Sequence, residues 1–90
     1  MDQFRKEAER MIHVCKGCID KPNDPLAREL NSQFQRIEDE AQMGKSPGTI
    51  RNRLKTLQRT IKSAANSQVI NHSEAASLDK WAEDSIRKMR

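Results

Sequence analysis

SPGTIRNRLKTLQRTIKSA, residues 46–64, is the stretch that decides the fold. Ile50, Leu54, Leu57, Ile61 and Ala64 recur at intervals of four, three, four and three. That period places all five on one narrow seam of a helix, of the kind used in coiled coils. Ser46-Pro47 supplies the start: a Ser hydroxyl caps free N–H groups, and Pro at the first helical position loses no hydrogen bond. The spacing therefore predicts a long third helix with one apolar edge.

Working outward, Asp24-Pro25 repeats the cap-then-proline start and predicts a second helix. It buries Leu26, Leu30, Phe34, Ile37 and Ala41, and leaves at Gly44. So short a connection makes helices two and three neighbours in space, an antiparallel hairpin or, as the alternative, a tighter helix-turn-helix. The first helix is predicted from Asp2, as N-cap, to about Ile19, with Phe4, Ala8, Met11, Ile12, Cys15, Cys18 and Ile19 on one stripe. Lys21-Pro22-Asn23 ends it. After the seam, Asn66, Ser67, Asn71 and His72 read as a polar linker with Val69 and Ile70 tucked against the core. Ser73 or Asn71 then caps a last helix that faces inward through Ala75, Leu78, Ala82, Ile86 and Met89. No alternation of strand type interrupts these patterns. The expected fold is all-α, a small bundle of about four short helices forming a single domain over residues 1–90.

The core material is thin. Leu, Ile, Val and Phe number 16 of 90 residues, against 33% charged, so the fold is expected to be marginal and to gain from self-association or a partner. Met1 is followed directly by Asp2, and no apolar run approaches the length of a leader or membrane span. Two cysteines are too few for a disulfide framework, and a cytoplasmic, reducing location is the expectation.

Cys15-Lys16-Gly17-Cys18 has the spacing of redox and zinc motifs. Redox pairs of this kind use a helix N-terminus to lower the thiol pKa, and this pair falls near a helix end in a chain without strands. A structural zinc site needs four ligands, and His13 lies about 180° from the stripe that holds both thiols. Both cysteines are expected to be small core residues, with no metal bound. Nucleophilic catalysis needs a Cys or Ser beside an oriented base, and no such set is visible. Glu38-Asp39-Glu40 are consecutive and so diverge around a helix. No catalytic residue and no cofactor are expected; the chain reads as a non-enzymatic binding or regulatory protein.

Charge points to one class of partner. The net charge is +4, yet no Asp or Glu occurs from Ala41 to Ser73, a stretch holding Lys45, Arg51, Arg53, Lys55, Arg59 and Lys62. Arg51, Lys55, Arg59 and Lys62 fall within an arc of about 80° on the third helix, away from its apolar seam. Such a stripe neutralises phosphates and makes binding steeply salt-dependent. Thr49, Asn52 and Arg53 at the helix start add groups able to reach phosphates or base edges. Duplex is favoured over single strand, because the chain has one Trp, two Phe and no Tyr to stack bases. The competing expectation for the stripe is a solvated bundle face, partly offset by Glu38, Asp39 and Glu40.

The segment Gly44-Lys45-Ser46-Pro47-Gly48-Thr49-Ile50-Arg51-Asn52-Arg53-Leu54 resembles the turn and recognition helix of bacterial helix-turn-helix proteins. In that family a Gly turn leads to a Ser cap, then Thr, an aliphatic residue and an Arg. The resemblance implies that Thr49, Arg51, Asn52 and Arg53 face the major groove. It covers about a dozen positions. Upstream the pattern departs: the small residue of the family's first helix falls at Glu40, with Ala41 one place out of register.

A second class of partner is protein. Trp81 sits at the edge of the last helix's apolar stripe, about 60° from Leu78, which predicts a half-exposed indole. Such a ring serves either as an interface anchor or as a lid over the end of a small core. The seam of the third helix suits a homodimer as well as an intramolecular hairpin.

Overall fold

The computed structural model describes residues 2–89, apart from the Asp2 side chain, so the expected Asp2 cap lies outside the described residues. Four helices follow in order: α1 (Asp2–Cys18), α2 (Pro25–Gln42), α3 (Pro47–Asn66) and α4 (His72–Lys88). Their lengths of 17 to 20 residues correspond to about 26–30 Å at 1.5 Å per residue. That matches the long dimension of a body measuring 32 × 20 × 18 Å. Each helix packs against the next, and α1 closes the ring on α4. The all-α class and the α2–α3 hairpin expected from their short connection are what the chain forms.

The caps explain the boundaries. Asp24 accepts from the Leu26 N–H at 2.9 Å, Ser46 from Thr49 at 3.3 Å and Asn71 from Glu74 at 2.8 Å, each answering an N–H that the first helical turn leaves free. At the exit of α2, Gly44 adopts φ 76°. Its N–H reaches Ala41 O at 3.2 Å, and the Lys45 N–H reaches Glu40 O at 3.0 Å. This reversal uses a left-handed residue to satisfy the last carbonyls. The exit of α3 repeats it with Gln68 (φ 61°) in the glycine position, and the Val69 N–H on Ala64 O at 2.8 Å. A residue with a Cβ in that conformation is strained.

The five seam residues of α3 are buried, as are Leu30, Phe34 and Ile37 from α2 and Ala8, Ile12 and Cys15 from α1. Val69 and Ile70 are tucked in as expected. Beyond that expectation, Ile19 and Ile70 form an isolated bridge, with the Asp20 N–H on Val69 O at 2.7 Å. It ties the α1–α2 connection to the α3–α4 connection.

Trp81 corrects the expectation of a half-exposed ring: it is 8% exposed. The indole stacks between Phe4 (centroids 5.7 Å apart, planes at 14°) and Phe34 (6.0 Å, 23°). The remaining inward positions of α4 are mostly small, Ala75, Ala82 and Ser85 beside Leu78. A large ring entering from the stripe's edge fills the space they leave, as interior packing density demands. Trp81 thus links α4 to α1 and, across the bundle, to α2.

Candidate nucleic-acid interface

The predicted basic set divides into two groups on folding. Arg53, near the start of α3, turns toward α2. Its Nε donates to Glu40 Oε1 at 2.9 Å, and Arg36 stands 3.8 Å from the same oxygen. Glu40 is a nearly buried carboxylate, with its side chain 11% exposed, and a buried charge is tolerated when paired. Arg51 turns the other way. It is half-buried, its Nη1 lies 3.5 Å from the Met89 carbonyl at the end of α4, and its Nε is buried without a partner among the described residues. A cation at a helix C-terminus meets the negative end of the helix dipole. Thr49 is half-buried, and its hydroxyl is 3.0 Å from the Ser46 hydroxyl in the α3 cap.

Of the four residues that the helix-turn-helix resemblance aims at a major groove, three are therefore held in contacts within the bundle. Asn52 alone is exposed without such a contact among the described residues.

Lys55, Arg59 and Lys62 behave differently. All three are exposed, and none is in an ion pair or hydrogen bond among the described residues. At intervals of four and three residues they follow one line along α3, spread over about 10 Å of helix axis. They form one wall of a groove of about 630 Å³ between α3 and α4. Ile61, Ala65 and Ala75 lie at its base, and His72, Ala76 and Asp79 stand on the α4 side. At one margin Gln58 Nε2 donates to Glu83 Oε2 at 3.3 Å across the two helices. Lys45 is exposed separately, in the α2–α3 turn.

The α4 side of this groove is absent from the sequence reading. His72 was expected in the linker, but it is the first residue of α4. The signal was present in Asn71, which as a cap makes the following residue helical. Asp79 and Ala76 fall on the outward side of α4, which periodicity marks only as solvated.

The cysteines are core residues. Cys15 is fully buried and Cys18 nearly so, with the Cys18 thiol donating to Cys15 O at 3.2 Å. Burial pushes Cys15 up to about 12, with the neighbouring Cys18 adding to the effect, and burial likewise raises Cys18. Neither is an activated thiol. No group of three or more His, Cys, Asp or Glu gathers to hold a metal among the described residues. No described helix is long and apolar enough to cross a membrane.

Comparison with protein-family models, with curated proteins and with solved structures found no match to this chain.

Proposed function

We propose that the chain is a non-enzymatic binding protein that engages nucleic acid through the phosphate backbone, using the free cations of α3. The observation that carries this reading is the line of Lys55, Arg59 and Lys62, exposed side by side without a carboxylate partner among the described residues. Like charges held this close repel one another, and a polyanion relieves that repulsion while releasing its own counterions. Arg51 and Arg53 position the helix and make no contact with the ligand. Lys45, at the turn, extends the cationic surface.

This reading favours affinity over sequence recognition, because of the side chains suited to base edges at the start of α3 only Asn52 is free of contacts within the fold among the described residues. The protein-docking alternative, which drew also on the thin core and the α3 seam, loses Trp81 as an anchor, since its surface is already used inside the bundle; among large apolar side chains only Met43 is exposed in the described residues.

The test is a fluorescence-anisotropy titration of labelled duplex DNA, structured RNA and a non-nucleic polyanion. Three neutralised phosphates give a slope of log K against log salt of about −2.7, and a loss of about 40-fold between 50 and 200 mM salt. Lys55→Glu with Arg59→Glu abolishes binding and leaves the thermal melt unchanged. Retained binding by that folded double variant, or no binding at low salt by the native chain, would overturn the reading.

A further inference from the structure

The groove between α3 and α4 has features that contact with a phosphate backbone leaves unused. Its base is apolar and built largely of small side chains, Ala65 and Ala75 beside Ile61, with Ala76 exposed on the α4 side. At about 630 Å³ it has the size of a small-ligand site, too small for a duplex. Charge within it is one-sided: Lys55, Arg59 and Lys62 face a single lining carboxylate, Asp79. The groove also borders His72, in the first turn of α4, where the helix dipole is positive.

We propose that this groove binds one nucleotide unit, with phosphate along the cationic wall and the base laid over the alanine floor. The inference deepens the nucleic-acid reading and rests on the same three cations. The floor adds a preference: a planar base covers apolar surface that a bare polyphosphate leaves wet. Asn66 and Asp79, both lining the groove, stand where a base edge needs donors and acceptors. The shared chemistry is a nucleoside phosphate, either free or as an unpaired nucleotide of a strand.

The experiment titrates the full chain with adenosine triphosphate, tripolyphosphate, an unstructured oligonucleotide and a duplex of equal length. Heat of binding and amide chemical shifts are both followed. Adenosine triphosphate is expected to bind about tenfold more tightly than tripolyphosphate, with shifts centred on residues 61–66 and 72–79. Ala76→Phe, which fills the groove and leaves the cations in place, lowers nucleotide affinity at least about tenfold and leaves tripolyphosphate within about twofold. Tighter binding of the oligonucleotide than of the duplex assigns the site to unpaired strand; binding of the free nucleotide alone assigns it to a small molecule. Either result supports the groove. Equal affinity for tripolyphosphate and nucleotide, an unaffected Ala76→Phe variant, or no nucleotide binding at about 1 mM would overturn it. Salt-dependent duplex binding that persists alongside such a failure leaves the phosphate-backbone reading standing, and loss of all binding removes both.

Discussion

Replacing Arg53 by Ala tests the division of the basic residues, since Arg53 and Lys55 are two positions apart on one helix. The Arg53 guanidinium lies 2.9 Å from a carboxylate that is 11% exposed. Removing it leaves Glu40 with Arg36, 3.8 Å away and itself 63% exposed. An uncompensated buried carboxylate costs about 3–5 kcal/mol. Here Arg53 is 43% exposed and water replaces part of its field, so the expected loss is about 1–2 kcal/mol. A domain of this size loses about 4–8 °C in melting temperature per kcal/mol. Lys55→Ala, by contrast, removes a solvated side chain and stays within about 0.5 kcal/mol. Urea unfolding followed by circular dichroism measures both. A double-mutant cycle with Glu40→Gln then isolates the pair and should give a coupling of at least about 0.5 kcal/mol. Equal stability of Arg53→Ala and Lys55→Ala, or a coupling of zero, would show that Arg53 is as free as Lys55 and would refute the division.

Trp81→Ala should cost about 3–5 kcal/mol, a large part of the roughly 5–13 kcal/mol typical of 90 residues; a native chain with red-shifted, readily quenched tryptophan fluorescence would contradict the burial behind that figure. Gln68→Gly should stabilise the bundle by about 0.5–1 kcal/mol, by removing a Cβ from a left-handed position at the net cost of extra unfolded-state freedom; a lower urea midpoint would show that the side chain compensates for its strain. The buried thiols make stability fall in alkali. Their folded pKa values are raised, Cys15 to about 12, so the contribution is complete below pH ~9 and is lost as pH climbs toward 12, at up to about 1.4 kcal/mol per unit for each thiol. The chain has no Tyr to confuse the reading. Urea midpoints that decline above pH ~9 more steeply in the native chain than in Cys15→Ala, which keeps Cys18, would bear this out, and an identical decline in both would not.

Helix number and order, and the starts of α2 and α3, were legible because each is written locally. Asp24-Pro25 and Ser46-Pro47 state where α2 and α3 begin, and Gly44 states where α2 ends. Gln68 carries no such mark: its left-handed turn is imposed by Val69 and Ile70, which must return to the core. The edge position of Trp81 was also read correctly as an angle, yet exposure was the wrong conclusion. Whether an edge residue is covered depends on the size of its neighbours, and the small Ala75, Ala82 and Ser85 left room for the indole to swing inward.

The division of the basic face has a related cause. Periodicity gives each side chain an angle about the α3 axis and says nothing of what the flanking helices present at that height. Arg51 and Lys55 share nearly the same direction, but Arg51 lies level with the end of α4, where the Met89 carbonyl draws a cation in. One turn further on, Lys55 has no ion pair or hydrogen bond among the described residues and stays in solvent. Arg53 meets Glu40 because the tight α2–α3 turn brings the last turn of one helix beside the first turn of the next. One helix thus carries cations engaged by its neighbours, Arg51 and Arg53, and cations left in solvent, Lys55, Arg59 and Lys62.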